Sequence, residues 1–182
     1  MKTGKTIRSF IAKDSRKVVL RTPKWEDLDD FLELINSLVD EKAEIARTEK
    51  VSREEEIDWL SKVLSRLEKD ETFYLVAEVD GKVVAVSEIG RRSGYEKHVG
   101  VIGIAIRNEF RGLGIGTEMM KTLVMQAQEM DLKVLTLTAF ASNKRAIRVY
   151  EKVGFVQTGR VPKKHFKEGK YIDEIIMTKL LE

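Results

Sequence analysis

The stretch RGLGIGT, Arg111 to Thr117, carries glycine at 112, 114 and 116. Successive glycines let backbone N–H groups converge on one concavity, which holds a pyrophosphate with little help from side chains. A dinucleotide fingerprint needs G-x-G-x-x-G, and counting from Gly112 puts Thr117 where the third glycine belongs. It also needs an acid after the next strand for the ribose hydroxyls, where this chain has Thr138, Ala139 and Phe140. A phosphate loop of the G-x-x-x-x-G-K-[ST] type needs a Lys-Ser or Lys-Thr that does not follow here; Gly4-Lys5-Thr6 has the tail of that motif without its leading glycine. Two readings remain for Arg111, Gly112, Leu113, Gly114, Ile115, Gly116 and Thr117: an anion cradle opening a helix, or a plain strand-to-helix turn.

Other chemistries are thinly represented. The chain has no cysteine, which removes thiol nucleophiles, disulfides and thiolate-bound zinc together. His165, in RVPKKHFKEGK, has no partner at metal-ligand spacing, so no metal site is expected. A formal charge of +3 suits a small anionic partner as well as nucleic acid, and no helix-turn-helix or basic-aromatic pattern supports the latter. No apolar run reaches the roughly 18 residues of a membrane span, and Met1 to Arg16 lacks the apolar stretch of a signal peptide, so the expectation is a soluble, unexported, cytoplasmic protein.

The elements that position the loop are legible from periodicity. Thr6–Ala12 and Lys17–Arg21 read as a hairpin whose first arm, with residues 1–16, is an N-terminal extension. A helix is expected from about Lys24 to Val39, with Trp25, Leu28, Phe31, Leu32, Ile35 and Leu38 on one face. A second opens at Ser52, where Glu55 completes a capping box, and is carried by Ile57, Leu60, Val63, Leu64 and Leu67. Asp80-Gly81 joins strands Phe73–Val79 and Lys82–Ile89, and His98–Ile106 supplies another strand. Helix Ile115–Met130, strand Lys133–Phe140, helix Asn143–Val153 and strands Phe155–Thr158 and Tyr171–Leu180 complete the order. One domain over residues 1–182 with a mixed, mostly antiparallel sheet follows, not an alternating doubly wound fold.

R-x-x-G-x-G followed by N-x-x-A-I-x-x-Y-E-K-x-G-F, Asn143 to Phe155, resembles the two central motifs of the GNAT superfamily of acetyltransferases. The resemblance spans about residues 72 to 180. It implies an α/β fold with helices on both faces and a V-shaped splay between the two central parallel strands, holding acetyl-CoA as co-substrate. By matching, Ile104, Ala105 and Ile106 pair with the pantetheine and acetyl group, Arg111 to Thr117 take the pyrophosphate, and Asn143 contacts the cofactor. Tyr150 is the residue implied near the thioester sulfur, and a phenol, protonated at neutral pH, suits a thiolate leaving group. Backbone N–H at the Ile106 end of the strand suits the oxyanion.

The implied reaction is direct attack of a primary amine on the thioester, and the amine must lose a proton. Glu88, beside the splayed strand, His98, near that strand's start, and ordered water are the alternatives for the base. Lys144, Arg145 and Arg148 either meet the nucleotide 3′-phosphate or form a solvated helix face, and the basic run Arg160 to Lys170 lines a substrate mouth or an exposed hairpin. Acceptor choice falls to about Asn36–Val51 and the last hairpin; Asp40, Glu41, Glu44 and Glu49 there suit a cationic amine or are solvated loop charges. A small-molecule acceptor (polyamine, amino acid or aminoglycoside-like) is expected, against a protein N-terminus or lysine, or a CoA-binding sensor that does not turn over. An edge strand near the C-terminus permits a homodimer.

Overall fold

Asp80 and Gly81 organise the centre of the molecule. In the computed structural model, which describes all 182 residues, they adopt φ of +50° and +78°, the left-handed pair that a two-residue hairpin turn requires. They join β3 (Thr72–Val79) to β4 (Lys82–Arg91), the middle of an eight-stranded sheet. With β1 (Thr6–Ile11), β2 (Lys17–Arg21), β5 (Val99–Ile106), β6 (Val134–Phe140), β7 (Val156–Lys167) and β8 (Lys170–Leu180), the sheet runs β1-β2-β3-β4-β5-β6-β8-β7. Every neighbouring pair is antiparallel except β5 with β6.

Side-chain alternation along β3 builds a core on each face. Phe73, Leu75 and Ala77 pack with Met119 and Leu123 of α3 (Ile115–Glu129) and Tyr150 of α4 (Lys144–Lys152). Tyr74 and Val76 point the other way, into Phe31, Leu34 and Leu38 of α1 (Leu28–Asp40) and Leu60 and Val63 of α2 (Arg53–Glu68). The helices on both faces are therefore present. The Ser52 capping box forms in full: Glu55 N donates to Ser52 Oγ at 3.2 Å and Ser52 N to Glu55 Oε2 at 2.8 Å. No helix is long and apolar enough to cross a membrane.

Two expected boundaries are corrected. Residues Trp25–Asp27 form a 3-10 turn before α1 begins at Leu28, because Asp27 turns inward to Arg21, its Oδ1 2.7 Å from Nη2. The run RVPKKHFK is strand, so β7 continues far past Thr158 and pairs with β8 to Lys167↔Lys170. Pro162 is accommodated at an irregularity between Val161 and His165, where Lys163 takes φ +54° and its N–H donates to Asp173 Oδ1 at 2.8 Å. A bulged edge strand is where a proline is tolerated.

The splay between the parallel strands follows from their other partners. β5 and β6 pair only at Val99↔Val134, Gly100↔Leu135 and Val101↔Thr136. Gly100 permits that close approach, since a Cβ there would lie 2.8 Å from Leu132 and Leu135 side-chain carbons. Beyond it, Ile102–Ile106 stay with β4 and Leu137–Phe140 stay with β8. The two strands diverge, and the edge of β5 facing β6 loses its ladder.

Candidate active site

The glycine loop lies at the open end of β5. Gly112 and Gly114 take φ of +81° and +94°, and a Cβ built on either meets nothing within 4 Å. Their backbone thus bounds open space at the start of α3, whose N-terminal N–H groups favour negative charge. Gly116 serves a different purpose: a Cβ there would sit 3.1 Å from Ile106 Cδ1, so the helix start packs closely against β5. A cavity of about 430 Å³ fronts the loop, lined by Lys13, Gly114, Thr117, Lys121 and Lys152 among others.

Lys13 reaches this cavity because its N–H donates to Leu113 O at 3.1 Å, tying the turn of the first hairpin to the loop. Lys144, Arg145 and Arg148 are exposed on α4 and do not line it. Sequence reasoning missed Lys13 and Lys152, whose proximity arises only from tertiary packing of distant segments. Arg111, the first residue of the motif, points back: its Nε donates to Ile106 O at 2.9 Å and Nη2 pairs with Glu41. Asn143 caps α4, its Oδ1 accepting from Ala146 N at 3.2 Å, which leaves its amide N–H₂ for other partners.

The splay opens onto the face carrying α1 and α2. Gly103 and Thr138 lie within the two central strands and are nevertheless exposed. They form the floor of a cleft. Glu88 stands opposite Gly103 in the β4–β5 register, half-buried, and a Cβ on Gly103 would be 3.5 Å from its Oε1. On the other face, Ile104 and Ile106 pack against the core that contains Leu137 and Tyr150. Tyr150 is 7% exposed, and burial pushes its phenol up to about 12. His98 is exposed at the foot of β5, five residues from Gly103, or roughly 17 Å along a strand. That separation takes it away from the cleft and leaves Glu88 as the titratable candidate on the floor.

The segment between α1 and α2 spans the cleft. Glu41 reaches Arg111, Glu44 accepts from the Ser142 hydroxyl, Lys42 Nζ lies 3.1 Å from Glu168, and Lys167 Nζ donates to Lys42 O at 2.5 Å. One short segment thereby touches the glycine loop, the entry to α4 and the β7–β8 turn. Asp40 pairs with Lys50 at 2.9 Å. At the far side, His165 stacks on Phe140 with ring centroids 3.8 Å apart, its Nε2 3.3 Å from Glu174.

Residues 31–155 match the family described as acetyltransferase (GNAT). The L-amino acid N-acetyltransferase AaaT of Escherichia coli (strain K12) is 30% identical over 112 residues, 58% of this chain and 67% of its own. YwnH of Bacillus subtilis (strain 168), whose name proposes phosphinothricin acetylation, is 25% identical over 159 residues, 86% of this chain and 94% of its own. The crystal structure of a phosphinothricin acetyltransferase from Sinorhizobium meliloti in complex with AcCoA superposes with a TM-score of 0.80 at 19% identity, covering 94% of this chain and 89% of that one.

Proposed function

This chain belongs to the acetyltransferase (GNAT) family, and from that membership we propose that it acetylates the primary amine of a small molecule of the amino-acid class. It is an N-acetyltransferase, and acetyl-CoA is its co-substrate. One observation carries the site assignment: β5 and β6 part after three paired positions, directly above a glycine loop whose open face adjoins the α3 N-terminus.

Acetyl-CoA supplies an activated acyl carbon, and the residues supply binding and proton handling. Backbone N–H groups of the Gly112–Gly116 loop and the start of α3 hold the pyrophosphate, with Asn143 and Thr117 at its border. The unpaired edge of Ile104, Ala105 and Ile106 aligns the pantetheine arm as a neighbouring strand would, and N–H at the Ile106 end faces the acyl oxygen. Glu88 takes the proton of the incoming ammonium, directly or through water. Tyr150 donates a hydrogen bond to the sulfur as the carbon–sulfur bond breaks. The apolar surroundings that push its phenol up to about 12 keep Tyr150 protonated, so it stabilises the departing thiolate as a hydrogen-bond donor.

The acceptor class follows from how the loop carboxylates are used. Asp40, Glu41 and Glu44 are engaged by Lys50, Arg111 and Ser142. Two of the three thus already have a cation of the protein's own, which weighs against polyamines and aminoglycosides. The name of one relative, an L-amino acid N-acetyltransferase, points the same way. Release of free CoA thiol, followed across amino acids, polyamines, aminoglycosides and short peptides, tests this. Amino acids are expected to give the fastest release. Fastest release with peptides would favour a protein-directed enzyme, and tight acetyl-CoA binding with no amine-dependent release would favour a sensor.

A further inference from the structure

Glu88 needs something to hold it. A glutamate has three rotatable side-chain bonds before its carboxylate, and on the β5 side its neighbour is Gly103, which has no side chain to pack against it. On the β3 side its directly opposed partner is Tyr74, which is 5% exposed. The Tyr74 ring is fixed by an edge-to-face contact with Trp59 of α2 (centroids 6.3 Å, interplanar angle 88°), and Trp59 by another with Phe31 of α1 (5.2 Å, 77°). Contacts of that geometry are the favoured arrangement for aromatic rings.

We infer that Tyr74 is a positioning residue, its hydroxyl holding the Glu88 carboxylate over Gly103 where the acceptor amine arrives. The inference rests on the reading of Glu88 as the base. Burial, and next the hydrogen bond that the hydroxyl offers Glu88, drive the phenol far above its ordinary value, while Arg66 of α2 acts in the opposite sense. Tyr74 thus keeps its proton and stands directly across the strand pair from the carboxylate, a donor opposite an acceptor. Beside Glu88, β5 brings Gly103 and Ala105 to this face, and α1 packs the apolar Phe31, Leu34 and Leu38 against it. The Phe31–Trp59–Tyr74 row also joins the two helices that flank the segment spanning the cleft.

The test is a double-mutant cycle of Tyr74→Phe with Glu88→Gln. Tyr74→Phe keeps the ring and its packing, so unfolding temperature should be unchanged. In the Glu88 background it should lower kcat about tenfold with the KM for acetyl-CoA unchanged, the scale of one lost hydrogen bond to a charged group. In the Glu88→Gln background it should have no further effect. Independently of turnover, Glu88→Gln should move the Tyr74 ¹³Cζ resonance and leave that of exposed Tyr95 in place. An unmoved Tyr74 resonance, or an equal rate loss in both backgrounds, overturns the positioning role while Glu88 remains the base. Full activity of Glu88→Gln alone overturns the base assignment, and the role of Tyr74 with it. Should Tyr74→Phe fail to fold, 3-fluorotyrosine at position 74 gives the same test: no rate change against the Glu88 background would overturn the proposal.

Discussion

Tyr150 combines near-complete burial with a hydroxyl for which burial is the cause of its raised pKa and no protein hydrogen bond contributes. With no protein acceptor engaging it, the hydroxyl is available to donate to a ligand atom. Tyr150→Phe should therefore leave acetyl-CoA affinity within about threefold and lower kcat by roughly 10- to 100-fold; isothermal titration and thiol release would separate the two. Glu56 illustrates the opposite use of burial. It lies 5% exposed on the inner face of α2, where burial raises its carboxyl to about 7 despite Arg47 nearby. The folded protein then holds a proton that the unfolded chain releases near pH 4.5, so this contribution to stability is full at acid pH and is lost as pH rises through 7. Glu56→Gln should gain about 2 kcal/mol over the native protein at pH 8 and little at pH 4.5 in urea unfolding. Sequence showed Tyr150 as a candidate because its motif context is local, and Glu88 only by its place on the strand beside the splayed one. It could not choose Glu88 over His98, since that choice depends on a register and a distance set by strand pairing.

At the level of elements, the glycine loop and the cap of α4 were legible because turn chemistry is written in consecutive residues. Gly114→Glu puts a carboxylate at an open, positive-φ position facing the start of α3. Acetyl-CoA binding should fall by at least about 100-fold while the circular dichroism spectrum is retained, the expected result of like charges meeting at an anion site. Retained affinity would remove the loop from the cofactor site. β7 was only half legible. KKHFKEGK has no alternation of apolar and polar residues, because an edge strand of this kind buries almost nothing. Its ladder to β8 comes from the partner, and no local pattern announces it.

Across the whole molecule, the strand order was the least visible feature, since β8 enters between β6 and β7 through long-range pairing. A buried ion triad fastens the N-terminal part to the rest: Arg21 of β2 bonds Asp27 at 2.7 Å twice and Glu78 of β3 at 2.7 Å. Breaking one arm leaves a buried guanidinium short of a counter-charge, so Asp27→Asn should cost about 3 kcal/mol by chemical denaturation. The paired replacement Arg21→Met with Asp27→Leu should cost less than that single change. The exposed glycine at the centre of the sheet has a consequence for divergence. Gly103 has ordinary backbone geometry and a Cβ there meets Glu88 at van der Waals distance without collision, so alanine or serine would be accepted by the fold. Each added atom would fill the floor of the cleft, which makes this position a cheap dial on acceptor size that a lineage can turn without renegotiating the donor site.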